Sequence, residues 1–170
     1  MLGVAALTVA LAPKAVLADD GGPIQGTFTV SVMHPSAVSY CASGGTSIEA
    51  RGIGTISKLG PLFLTVKKCL TFPAGGSVGT YAGKFEMTAG NGDTLNGMYT
   101  GTQDFGLLDE NGFGPLQGTL TFTSGTGRFS DASGTLSFTS VARPVGVTGT
   151  SINGIAYYLV QGHMWSPDEQ

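Results

Sequence analysis

Along most of the chain, large apolar residues alternate with Thr, Ser, Gly or a charged residue at a period of two, the spacing of a strand with one buried face. The first such run sets Ile24, Gly26, Phe28, Val30 and Val32 against Gln25, Thr27, Thr29 and Ser31. His34-Pro35 ends it, because proline cannot donate to a central ladder. A second strand is expected near 47–58, with Gly52 and Gly54 marking a bend or bulge. The third, over 62–72, puts Leu62, Leu64, Val66, Lys68, Leu70 and Phe72 on the face opposite Phe63, Thr65, Lys67, Cys69 and Thr71. A fourth, about 80–89, turns at Gly90-Asn91-Gly92-Asp93, a strong hairpin signal, into a fifth over 94–103 whose apolar side carries Leu95, Gly97, Tyr99 and Gly101.

A longer loop over 104–114 precedes the most regular stretch. There Leu120/Phe122 and Leu136/Phe138 flank a turn built from Gly125, Gly127 and Gly134, and Phe129 is its one large apolar group, placed to cap the end of a sheet core. After a connection over 144–149, an eighth strand over 155–164 is read with Ile155, Tyr157, Leu159, Gln161 and His163 on the interior face, and 166–170 as a frayed tail. No amphipathic helix is available to cover a sheet face. Eight strands of this kind must close or sandwich, and the expectation is an all-β chain forming a single eight-stranded antiparallel β-barrel.

Composition agrees with that reading and adds a compartment. The 170 residues suit one domain, and with 28 Gly and 11% charged residues, against roughly 25% charged in ordinary chains, Thr, Ser and Gly take the polar positions that Lys and Glu would fill in helices. The net charge of −3 comes without a basic tract, which excludes nucleic acid as an expected partner. Lys67-Lys68, the only local positive cluster, reads as an exposed strand end. The apolar opening and the small residues Val16 and Ala18 read as a signal peptide over 1–18, leaving a barrel domain over 19–170 in a secreted or periplasmic protein without stable membrane insertion after cleavage. A basic n-region is lacking, so either the start lies upstream or the signal is atypical, and an uncleaved anchor is the competing reading. Cys41 and Cys69, an even pair in an oxidising compartment, are expected to form a disulfide. No CxxC spacing exists and the histidines are only His34 and His163, so neither a metal site nor a cofactor is expected.

Three patterns carry candidate chemistry. Gly75-Gly76-Ser77-Val78-Gly79 matches G-x-S-x-G, but a nucleophile elbow needs a helix after the serine and a strand follows here, so Ser77 reads as a turn residue. Asp104, Asp109, Glu110 and Asn111 crowd one loop without calcium-site spacing and read as a solvated loop. The alternation itself sorts the remainder. Glu49, Arg51, Lys84 and Glu86 fall on the solvent side, whereas Lys68, Gln161 and His163, with the phenols of Tyr81, Tyr99 and Tyr157, fall inside, where they either plug the barrel ends or polarise a bound carbonyl. Phe85, Leu95, Tyr99, Tyr157 and His163 are the candidate ligand-binding residues, and no catalytic residue is assigned.

The run Gly92-Asp93-x-Leu95-x-Gly97-x-Tyr99-x-Gly101, followed by Gly118-Thr-x-Thr-Phe-Thr-x-Gly125-Thr-Gly-Arg-Phe129-x-x-Ala132-x-Gly134, resembles the hairpins of the allene oxide cyclase and dirigent-type β-barrel superfamily, in particular its small exported bacterial members. The resemblance covers about two-thirds of the mature chain and rests on turns, not on catalytic groups. It implies an eight-stranded antiparallel barrel with an apolar cavity, a homo-oligomer in the plant branches, and relatives that cyclise fatty-acid epoxides or steer phenoxy-radical coupling. Two functions are carried forward. One is an exported, non-enzymatic barrel that binds an apolar small molecule or serves a structural envelope role. The other is a cofactor-independent isomerase or cyclase, which a large open cavity holding a buried ionisable group would favour.

Overall fold

The computed structural model describes residues 23–36, 39–41, 45–148 and 151–165; the signal peptide and tail expected from the sequence lie outside them. Eight strands follow one another, β1 (Pro23–His34), β2 (Thr46–Ile56), β3 (Gly60–Thr71), β4 (Val78–Ala89), β5 (Thr94–Asp104), β6 (Gly114–Gly125), β7 (Ser133–Thr148) and β8 (Ser151–Trp165). Each pairs antiparallel with its sequence neighbours, and β8 pairs with β1 to close the barrel. Single 3-10 turns, Phe105–Leu107 and Gly127–Phe129, interrupt the β5–β6 and β6–β7 connections. Closure leaves no edge strand, which answers the demand that eight half-apolar strands place on a chain without helices.

The interior is narrow, and glycine makes it packable. Phe28 stands opposite Gly54, Phe85 opposite Gly97 and Phe138 opposite Gly118, so each ring leans over a neighbouring strand that has no side chain at that position. A methyl group on Gly97 would come within 2.5 Å of Phe85 Cε1. In this fold the inward glycines are therefore space for aromatic rings. Phe85 meets Phe122 edge-on at 5.7 Å between ring centres, and Tyr99 stacks on Phe138 at 5.1 Å.

One end of the barrel is shut. Phe129, fully buried, plugs it from the β6–β7 turn, as its place as the one large apolar group in that turn predicts. Arg128 beside it donates from Nη2 to the Leu59 carbonyl in the β2–β3 turn at 2.8 Å, and its backbone N–H donates to Asp93 of the β4–β5 turn at 3.3 Å. Three hairpin turns are thus tied across that end. Gly127 is required where it stands, with φ of +54° and no room for a Cβ beside the Asp93 carboxylate.

The structure corrects several expectations. On β8 the inward residues are Ala156, Tyr158, Val160 and Met164, while Tyr157 is 46% exposed, Leu159 62% exposed, and Gln161 and His163 face out. Tyr157 and His163 therefore do not line the interior. The reason is register: Ala156, Tyr158 and Val160 pair with Val30, Phe28 and Gly26, whose inward direction β1 dictates, and directly opposed residues share a face. Lys67 and Lys68 are not a positive cluster, since consecutive strand residues point to opposite faces; Lys67 is exposed and Lys68 is 2% exposed. Residues 144–148, expected as a connection, continue β7. The ladder shifts between Pro144 and Gly146, a bulge where proline lacks the N–H that regular pairing needs.

Cys41 and Cys69 form the expected disulfide. It fastens the β1–β2 connection to the outer face of β3, where the Tyr40 hydroxyl donates to Glu49 Oε2 at 2.8 Å and the Tyr40 backbone N–H donates to Ser47 Oγ at 2.7 Å.

Candidate functional site

Opposite the Phe129 plug, the barrel opens into a cavity of about 270 Å³, just below the roughly 300–1,000 Å³ usual for small-molecule sites. Its wall is mostly apolar: Val32, Ile48, Leu116, Ala142, Ile155 and Ala156 come from five strands that converge here. Phe105 and Leu108, from the connection after β5, form part of the rim, and Phe72 packs on Phe105 at 5.2 Å between ring centres. That connection is shaped by its carboxylates. Asp104 Oδ1 accepts from Gly106 N and from Ser77 Oγ, and Asp109 Oδ1 accepts from Asn111 N and Phe113 N. One carboxylate oxygen each of Asp104 and Asp109 is thus engaged by backbone amides and, at Asp104, by the Ser77 hydroxyl as well.

The polar groups of the cavity collect around Lys68. Its Nζ lies 3.2 Å from the Tyr99 hydroxyl, 4.2 Å from the centre of the Tyr81 ring and 4.6 Å from that of Tyr99. The Tyr99 hydroxyl is 3.4 Å from that of Tyr158, and Tyr81 donates to Gln103 Oε1 at 2.7 Å. Loss of water pulls the Lys68 pKa down to about 7, the ring faces offsetting part of that cost. The same desolvation pushes Tyr158 up to about 12 and raises Tyr81 and Tyr99 well above the usual phenol range. Near neutral pH the site therefore holds an amine poised between its two forms among phenols that keep their protons.

Of the residues expected to bind a ligand, Phe85, Leu95 and Tyr99 do face inward. Phe85 and Leu95 are packed in the filled half and are not part of the cavity wall, and Tyr99 reaches the site through Lys68. Tyr157 and His163 are on the outside. Gln103, Tyr158 and Arg143, which do line the cavity, were not singled out from the sequence. Gln103 was legible, since it continues the parity of Leu95 and Tyr99 by one more step on β5. Tyr158 was hidden by the uniformly apolar run 155–160, and Arg143 by the reading of 144–149 as a loop.

No known family profile and no curated protein matches this chain.

Proposed function

We propose that this chain is an exported barrel that binds an apolar small molecule in the cavity opposite Phe129. One observation carries the reading: the interior is filled by side chains from the Phe129 plug to Tyr99, and the remaining space above Lys68 is walled by aliphatic and aromatic groups around a few convergent polar atoms. The disulfide suits an oxidising compartment. The fully buried apolar residues point inward, and Thr, Ser and Gln alternate on the outside with exposed apolar residues such as Ile53, Phe63, Met98 and Leu159.

Native mass spectrometry of the exported protein tests this. A co-purifying low-mass molecule that disappears when Ala142→Leu fills the mouth is the expected result. Failure of the native protein to retain any molecule or to bind any apolar probe would leave the structural envelope role instead.

A second reading is cofactor-independent isomerisation or cyclisation, in keeping with the resemblance of the hairpin turns to allene oxide cyclase-like barrels. It is favoured by Lys68, a buried amine with a pKa near 7 beside protonated phenols, a pairing able to take and return a proton.

A further inference from the structure

The charges around the cavity say more about its guest, and this step rests on the binding reading above. Lys68 and Arg143 are the cationic residues of the wall, and among the described residues no acidic one lines it. Among the described residues the ion pairs join Arg51 to Glu49 and Arg128 to Asp93, so neither cavity cation has a carboxylate. An ammonium has three donors, yet Lys68 Nζ has one hydrogen-bond acceptor, Tyr99. Arg143 Nε is also buried without an acceptor, with its guanidinium 5.1 Å from the Phe113 ring centre.

The groups grouped around the Lys68 amine are neutral on every side: Tyr81 from β4, Tyr99 and Gln103 from β5, Tyr158 from β8 and Ile48 from β2. Arg143 on β7 adds a second positive charge to the cavity. A cation taken out of water ordinarily acquires a counter-charge or gives up its proton. Here the protein supplies no counter-charge, and the space above the amine is open.

We propose that the cavity takes a small apolar molecule bearing a single anionic head group, a carboxylate being the simplest, which pairs with the Lys68 amine at the cavity floor while its body lies against Ile48, Leu116 and Ala156. Arg143 adds attraction at the wall without being the anchor. No covalent bond is made: the carboxylate enters as an anion, the amine takes one proton from solvent, and an ammonium carboxylate pair results.

Binding is therefore linked to protonation. The free amine titrates near pH 7, so above that the apparent Kd for the acid should rise about tenfold per pH unit, the fraction of competent ammonium falling by that factor. At pH 8 each binding event should take up about one proton.

Calorimetric titration of the full exported protein with phenylbutyrate and its neutral amide, in two buffers of different ionisation enthalpy, tests the proposal. The acid should bind at least tenfold more tightly than the amide at pH 7, with proton uptake at pH 8. Lys68→Met should abolish the uptake and most of the preference while still binding the amide, which also reports an intact fold, and Arg143→Gln should keep the uptake. Equal binding of acid and amide would overturn the inference and leave the cavity reading standing. A preference that survives Lys68→Met and vanishes in Arg143→Gln would overturn the assignment to Lys68. Binding of neither molecule would overturn the inference and the reading beneath it.

Discussion

The Lys68 amine and the Tyr99 hydroxyl lie 3.2 Å apart at mid-barrel, and Tyr99 lies 3.4 Å from the Tyr158 hydroxyl, so one amine and two phenols share a line that joins β3, β5 and β8. All three are buried, and each is held by burial in its neutral form further than it would be in water. The stability of the protein should record both shifts.

Lys68 has a lower pKa folded, about 7, than unfolded, 10.5, so between those values the unfolded chain binds more protons and stability should rise with pH. The phenols have raised pKa values when folded, so their contribution is present below pH 10 and is lost above it. Urea denaturation across pH should therefore give greatest stability at alkaline pH, below the tyrosine range. Lys68→Met should remove the rise, gain a few kcal/mol near pH 7 and keep the alkaline fall. A flat profile for the native protein between pH 7 and 10 would mean that the amine is hydrated when folded.

The Cys41–Cys69 bond closes a loop of 28 residues, which corresponds to about 3–4 kcal/mol on the chain-entropy scale. It sits on the outer face of β3 and crosses no part of the closed ladder. Reduction, or paired Cys41→Ala and Cys69→Ala, should lower the denaturation midpoint while leaving the far-ultraviolet strand signal unchanged. Collapse of that signal would show that the bond holds the barrel shut.

At the closed end, Phe129→Ala empties a fully buried site and should cost about 3–5 kcal/mol. Arg128→Ala removes the bond to the Leu59 carbonyl and its placement beside Asp93, part-exposed interactions worth about 1–2 kcal/mol. Equal, small losses in denaturant melts would mean that the turn does not plug the core.

The inside and outside of β8 can be separated chemically. Tyr158→Phe removes a hydroxyl from the cavity and should change binding of an apolar fluorescent probe, whereas Tyr157→Phe and His163→Gln alter the outer surface and should leave it unchanged. Ala142→Leu, which narrows the mouth from a half-buried position, should reduce probe binding at least tenfold with little change in melting. Binding governed by Tyr157 or His163 would relocate the site to the outer wall.

Most of the architecture was determined by the sequence alone, because its decisive features are local. Period-two alternation from Ile24 to Val32 and from Leu62 to Leu70, Gly90-Asn91-Gly92-Asp93 at a hairpin, and a single Phe129 in a polar turn each act through immediate neighbours, and each stands in the structure where its pattern says. Alternation failed on β8, where Ile155 through Val160 are apolar on both faces, and only pairing with Phe28 and Val30 decided that Tyr158 and Ala156 turn inward. The cavity, too, belonged to the tertiary structure. Phe85 and Leu95 share a face with Tyr99, but closure packs them against the plugged end, while Lys68, Tyr81, Gln103 and Tyr158, far apart along the chain, meet because antiparallel neighbours bring strand ends together. Which inward residues line a space, and which fill one, depends on the volume that eight closed strands enclose, and no single strand carries that quantity.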